Sequence, residues 1–436
     1  MAGERGRPDP QSDVMLSDVM LSVVAPTRAG ESVTAILLTL NVFLLLCSYY
    51  LLKVAREPLI LLGGGAEVKS YAAAGQAGLL ILVSYAYGAI ARTVNRVRLI
   101  TIVILFFVTN LVAFSALAAA HVPIGVPFYL WVGCFSLTVI AQFWAFAADI
   151  YDEERGKRMF PILGIGSSVG AVGGSALAHF AVPLGPPALL LLSAAILIFC
   201  VALTIAVHRR ELHRGKRAAE AEKPIGGESG FKLLLRDKYL LLIGVFIVVY
   251  NSVNTTGEYV LDRTLLAAVS GEASPEQFVG NFKAEYFAWV NAIGVVLQTL
   301  VVSRVIKYLG VRGALFIMPL VSLFSYGMMA VAPVLSLIFV AKIAENSLDY
   351  SLNNTSRQAL WLVTTRDAKY KAKQVIDTFL QRAGDVTSAG LVAVGAAVGL
   401  GTKGFALANV GAVLAWLGTM VLLTREHKKR EGQVTA

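Results

Sequence analysis

Cysteine is almost absent from this chain: Cys47, Cys134 and Cys200 are the only three, and each sits inside an apolar run. An odd number of widely spaced thiols excludes a disulfide framework and a cysteine metal cluster, and three buried thiols are the plain reading. Histidine is nearly as scarce, and its five residues are scattered, so neither a metal centre nor a nucleophile–base pair is legible. Charged residues make up 15% of the chain against 56% hydrophobic, with a mean hydropathy of +0.68. That balance excludes an ordinary soluble protein.

The motifs of soluble nucleotide enzymes are missing as well. Gly63 to Ser70, GGGAEVKS, has Val68 where a phosphate loop needs glycine. Gly164 to Gly170, GIGSSVG, misses the dinucleotide spacing by one residue and follows no strand. Gly166, Gly170, Gly174 and Ala178 instead recur every four residues, giving a flat helix face that lets a neighbour approach closely. No catalytic residue, cofactor or metal is implied, and the chain does not read as an enzyme. Residues 1–31 are polar, repeat SDVML at 12–16 and 17–21, and contain no apolar h-region before the first span. Glu4, Asp9, Asp13 and Asp18 are out of place in a transit peptide. A disordered cytoplasmic tail is expected there.

What the sequence does have is apolar runs long enough to cross about 30 Å of hydrocarbon, and they predict about 12 transmembrane helices. The runs fall near 32–55, 70–92, 98–120, 125–150, 159–183, 187–208, 238–261, 284–307, 312–333, 335–360, 375–398 and 404–424. The longest polar stretch, 209–237, divides them six plus six. This predicts an N-terminal bundle over 32–208, a basic cytoplasmic loop over 209–237, a C-terminal bundle over 238–424 and a basic tail over 425–436. Most of the Lys and Arg residues lie in alternate loops, whereas those near Pro123 and Pro183–Pro187 contain none. By the positive-inside rule both termini are cytoplasmic. The same localisation explains the net charge of +10 without nucleic acid.

The halves echo one another. ARTVNRVRLI follows the second span and SRVIKYLGVRG the eighth; DEERGKRMF follows the fourth and RDAKYKAKQV the tenth. Parallel six-helix repeats around a basic central loop are the pattern of the major facilitator architecture, an all-α polytopic membrane fold with two pseudo-symmetric bundles and a midplane site.

One span carries a stripe of polar groups. Lys342, Asn346, Asp349, Asn353 and Arg357 step by four or three residues and predict one helical face, with Glu345 and Asn354 beside it. A charge at the bilayer centre costs roughly 2.5–3.5 kcal/mol, so these groups face protein or water. Lys342 and Glu345 are spaced to pair, as are Lys53 and Glu57, and Arg382 and Asp385. That pairing leaves Arg56 and Arg357 without an acidic neighbour at helical spacing. Two such guanidinium groups suit a phosphate-bearing ligand, because the planar fork binds phosphate oxygens bidentately. Asn254 and Glu258 add polarity in the seventh span, where Tyr250 and Glu258 repeat the spacing of Tyr49 and Glu57. The expected ligand contacts are therefore Arg56, Arg357, Asn353, Asn354, Glu258 and Asn254. Pairing or gating is expected of Lys53, Glu57, Lys342, Glu345, Asp349, Arg382 and Asp385, although Glu258, Asp349 and Asp385 are each also able to accept an arginine from another helix. Phe143, Trp144 and Phe146 either stack on a base or simply pack.

Three segments resemble the bacterial and plastid nucleotide transporter family, the ATP:ADP antiporters. Residues 143–163, FWAFAADIYDEERGKRMFPIL, follow its Phe-Trp-Gly-Phe-Ala-Asn, acidic turn and Lys-Arg-Phe-Tyr-Pro-Leu pattern. Residues 49–59 follow its first-helix pattern through Arg56-Glu57. Residues 349–379 follow its later series through Tyr350-Ser351-Leu352-Asn353, Arg357-Gln358 and Lys371-Ala372-Lys373. The resemblance implies exchange of adenine nucleotides in a facilitator-like fold, with Arg56 and Arg357 on phosphate and Glu258 as the seventh-helix acid. The chain departs in having arginine at 56 and 357 where the family has lysine, and Gln358 where it has an acid. The fourth span also has no acid before Asp149.

Three readings follow. The first is a nucleotide exchanger, monomeric in a lipid bilayer such as the bacterial inner membrane. The second is a proton-coupled facilitator of another small organic solute, titrating Glu258, Asp349 or Asp385. The third is a non-transporting receptor or assembly partner.

Overall fold

The computed structural model describes residues 32–91, 94–151, 153–212, 230–365 and 368–435. The expected tail 1–31 and most of the central loop lie outside them. Among the described residues every regular element is helical. In hydrocarbon each backbone amide and carbonyl must be satisfied within the segment itself, so apolar runs of this length fold as helices.

In chain order these are α1 (Ser32–Ala91), α2 (Arg96–Ala119), α3 (Gly125–Ile150), α4 (Glu153–Ala181), α5 (Gly185–Leu212) and α6 (Gly230–Arg236). They continue as α7 (Lys238–Ala268), α8 (Pro275–Val331), α9 (335–359), α10 (368–397) and α11 (Thr402–Thr435). Seven stretches among the described residues are long and apolar enough to cross a membrane, and three of them run 52, 54 and 57 residues. At 1.5 Å per residue, each of those three would be about 80 Å long if straight, more than twice a bilayer's hydrocarbon. They are not straight. Gly65 breaks α1 with φ of 82°, and Gly310 breaks α8 with φ of 67°, a backbone conformation that glycine takes at least cost. The third is divided between α4 and α5 by the tight turn Val182–Leu184. The loops expected over 55–70 and 307–312 are therefore single-glycine kinks, and Gly63-Gly64-Gly65 is a helix joint. The basic tail expected over 425–436 continues α11 as helix to residue 435.

The described residues gather into two compact units. The first takes residues 32–53, 86–120 and 135–212; the second takes 54–85, 121–134 and 230–435. The units thus differ from a division at the central loop, since 54–85 and 121–134 belong with the second.

In the first unit, the start of α1 packs against α4 and α5. The glycine stripe performs the packing: a methyl at Gly166 would lie 2.6 Å from Thr39 Cγ2, at Gly170 2.8 Å from Phe43 Cα, and at Gly174 2.5 Å from Cys47 Cα. Three positions spaced by four on α4 therefore meet three positions spaced by four on α1. On the α5 side, Asn41 donates to Thr204 Oγ1 at 2.9 Å and the Ser48 and Ser193 hydroxyls lie 2.6 Å apart. Gly174→Val is expected to destabilise the protein by about 1–3 kcal/mol through overpacking. Thermal unfolding in detergent checks this, with Gly164→Val, where a methyl meets nothing within 4 Å, as the neutral comparison. Phe143 and Phe146 are buried, and Trp144 lies edge-on to Phe143 at 5.6 Å and to Phe160 at 6.2 Å.

In the second unit α7 packs against α9, α10 and α11. Trp416 of α11 lies against Phe246 and Tyr250. A methyl at Gly384 of α10 would come within 2.7 Å of Asn251 Cβ, so that glycine sets the approach of α10 to α7.

Candidate functional site

Two linked groups of charges are buried in the second unit. The first is a ring. Glu57 precedes Pro58 in α1, and Lys69 begins the rod beyond the Gly65 kink. Lys69 Nζ bridges Glu57 Oε2 at 2.5 Å and Asp262 Oδ2 of α7 at 2.7 Å. Lys283 of α8 closes the ring, 2.5 Å from Asp262 Oδ1 and 3.6 Å from Glu57 Oε2. The side chains of Glu57, Asp262 and Lys283 are 2% exposed or less. Removing each ion from water costs several kcal/mol, and acid alternating with lysine around the ring offsets that cost.

Arg56 joins this ring. Its Nε donates to Glu57 Oε1 at 3.1 Å and its guanidinium lies over the Tyr129 ring at 4.6 Å. The expectation that Arg56 stands apart from acids is thereby corrected: its long stem reaches the carboxylate of the next residue, a contact that helical spacing alone does not anticipate. Lys53 lies against the Tyr50 and Tyr49 rings, at 5.2 and 5.9 Å. Lys69, Asp262 and Lys283 were not among the expected site residues.

The second group joins α7 to α9. Lys342, fully buried, donates to Asn254 Oδ1 and Glu345 Oε2, both at 3.0 Å, and lies 3.7 Å from Glu258 Oε1. Tyr326 donates to Glu345 Oε2 at 3.0 Å. Glu258 Oε1 also accepts from the Tyr286 hydroxyl and Asn346 Nδ2, each at 2.8 Å. Gly257 makes room for this: a methyl there would lie 2.9 Å from Lys342 Nζ. Of the group's two carboxylates Glu345 is sealed, at 2% exposed, whereas the Glu258 side chain is 25% exposed.

The stripe on α9 does not hold one helical face. Residues Asp349–Asn353 form a π turn, whose wider loop adds a residue to the register. Lys342, Glu345, Asn346, Asp349 and Asn353 are buried, but Asn354 turns to the surface and Arg357 is half-buried. Asn353 donates to Asp349 Oδ1 at 2.9 Å, spanning the π turn. Arg357 forms no ion pair among the described residues; its guanidinium lies 5.4 Å over the Tyr250 ring of α7. On α10, Arg382 contacts Asp385 Oδ2 at 3.0 Å, and Asp385 Oδ1 accepts from Asn251 at 2.7 Å and Thr255 at 2.9 Å.

The second unit therefore presents a partly open polar surface of Asn254, Thr255, Glu258, Arg357 and Arg382, backed by sealed ion pairs. Among the described residues no group of His, Cys, Asp and Glu has the arrangement of a metal site.

Solved structures resemble this fold over nearly the whole chain. The nucleoside transporter NupG matches 88% of this chain and 98% of its own at a TM-score of 0.60 and 11% identity. A POT family transporter in complex with a thioalcohol-conjugated peptide matches 90% and 96% at 0.66 and 12%. The fold and its buried charges define a multi-pass, all-helical membrane protein of the major facilitator type. Residues 128–427 match the model of the TLC ATP/ADP transporter family, and the chain belongs to that family. Two of the three resembling segments, 143–163 and 349–379, lie inside that match. Among sequence relatives, ADP,ATP carrier protein 1 of Chlamydia trachomatis serovar D is 22% identical over 335 residues, 66% of this chain. ADP,ATP carrier protein 1 of Chlamydia pneumoniae is 20% identical over 338 residues. The chain spans 62% and 64% of the lengths of these two relatives.

Proposed function

We propose that this protein is a secondary transporter that exchanges nucleotides of the ATP/ADP kind, or closely related phosphorylated anions, by alternating access. The family match over 128–427 carries the reading, because it takes in every polar side chain named on α7, α9 and α10. The names of the two chlamydial carriers support the same substrate class. Arg357 is the proposed phosphate contact: it is half-buried, forms no ion pair among the described residues, and rests on an aromatic face. Asn254 and Glu258 line the same surface. Asn353 acts indirectly by holding the π turn to Asp349, and Asn354 stands at its edge. Arg56 belongs with Glu57, Lys53 with the aromatic pair beside it, and the sealed pair Lys342–Glu345 and the partly open pair Arg382–Asp385 with gating. The protein is proposed to work without enzymatic chemistry, as a monomer in the bacterial inner membrane, with both termini cytoplasmic.

A ligand screen on the purified full chain tests this. A ligand that binds the folded state alone raises the unfolding temperature with concentration. ATP and ADP are expected to do so, whereas citrate and glutamate are not. Stabilisation by carboxylates alone, with none from any nucleotide, would contradict the proposal.

A further inference from the structure

The open polar surface of the second unit has two unlike ends on one helix. Tyr250, Asn254 and Glu258 are spaced i, i+4 and i+8 along α7, so they share a face. Eight residues separate the first from the last, about 12 Å at 1.5 Å per residue. At the Tyr250 end lies Arg357, a cation with five donors and no acceptor. At the other end lies Glu258, which only accepts when ionised.

Glu258 is held in a particular way. Tyr286 and Asn346 both donate to Oε1, and Lys342 approaches the same oxygen at 3.7 Å. These contacts come from α8 and α9, so the carboxylate is fixed from two sides. Oε2 takes no donor from the described residues, and the side chain is the exposed member of a network whose other acid, Glu345, is sealed. A fixed carboxylate with one oxygen satisfied and the other open accepts a hydrogen bond from a ligand hydroxyl or amine. Phosphate, which carries only acceptors, finds no donor on that open oxygen and is drawn instead to the guanidinium of Arg357.

We propose that Glu258 is a specificity-determining residue that accepts from the sugar hydroxyls of a nucleotide whose phosphates lie toward Arg357. This rests on the nucleotide reading above and deepens it: the site selects ribonucleotides by reading both ends of the molecule. Carboxylates serve this purpose elsewhere, an Asp or Glu taking the ribose 2′-hydroxyl in dinucleotide folds. A site built around a ligand hydroxyl discriminates strongly against the analogue lacking it, because its own polar group is then left unpaired.

The test is calorimetric binding of ATP, 2′,3′-dideoxyATP and inorganic tripolyphosphate to the full-length protein and to Glu258→Ala. The wild type is expected to favour ATP over the dideoxy analogue by tenfold or more. In the variant that preference falls to within about threefold, while tripolyphosphate affinity does not fall, since Glu258 offers a phosphate no donor. Glu258→Gln keeps an acceptor for Tyr286 and Asn346 and serves the same purpose should the alanine variant not fold; its preference is expected to fall as well. Equal wild-type affinity for ATP and the dideoxy analogue overturns the inference and leaves the nucleotide reading standing, as does an undiminished preference in both variants. No binding of any nucleotide or tripolyphosphate to the wild type overturns both.

Discussion

Arg357→Ala is expected to lower ATP affinity roughly 10- to 100-fold, because a hydrogen bond to a charged partner contributes about 1.5–3 kcal/mol. Arg357 forms no ion pair among the described residues and lies over Tyr250 on a partly open surface, so its removal leaves no buried carboxylate stranded. The loss should therefore appear in binding and transport, with unfolding temperature nearly unchanged. Arg357→Lys retains the charge but not the planar fork that meets two phosphate oxygens at once, and an intermediate affinity is expected. Calorimetry with ATP and ADP, beside thermal unfolding, checks all of this. Undiminished affinity in Arg357→Ala would remove the residue from the site.

The second large effect concerns the ring of Glu57, Lys69, Asp262 and Lys283. Asp262 holds Lys69 at 2.7 Å and Lys283 at 2.5 Å. Asp262→Asn leaves two lysines and Arg56 around the single carboxylate of Glu57. Breaking a buried ion pair from one side costs about 3–5 kcal/mol, whereas removing both partners costs far less. Asp262→Asn is therefore expected to lose stability on that scale, and the double variant Asp262→Asn/Lys283→Met to recover a large part of it. Denaturant unfolding in detergent measures the difference. A single variant as stable as wild type, or a double variant no better than the single, would show that the ring is not a coupled unit. Its elements come from α1, α7 and α8, so the ring also fixes the segment after Pro58 against the helices that carry Glu258.

That ring shows where a reading of the sequence stops. Hydropathy bounds the spans at 70, 261 and 284, and Lys69, Asp262 and Lys283 each fall one residue outside those limits. Hydropathy ends a span where a charge appears, so it discards the very charges that helices pair with one another. Glu57 is legible as an embedded acid, but its lysine partners are 12 or more residues away and no local spacing announces them. The α9 stripe is legible as a set of polar residues; its division is not, because the π turn at Asp349–Asn353 departs from the 3.6-residue period on which helical spacing rests. The glycine stripe on α4 was fully legible, since a four-residue repeat of small side chains has one physical use, and α1 supplies the matching surface at Thr39, Phe43 and Cys47. Gly63-Gly64-Gly65 departs from the phosphate-loop pattern in sequence, and only the backbone shows that its last member is a kink. Family membership was legible because two of the three resembling segments lie within the matched region.

Exchange, rather than passage in one direction, is the central claim for this chain. It is tested most directly by counterflow in proteoliposomes that contain the purified protein, with labelled ATP outside and either unlabelled ADP or buffer alone inside. The account predicts rapid uptake only into ADP-loaded vesicles, insensitive to an imposed pH gradient and lost in Arg357→Ala. Equal uptake into empty vesicles, or uptake that follows the pH gradient with no dependence on internal nucleotide, would contradict it.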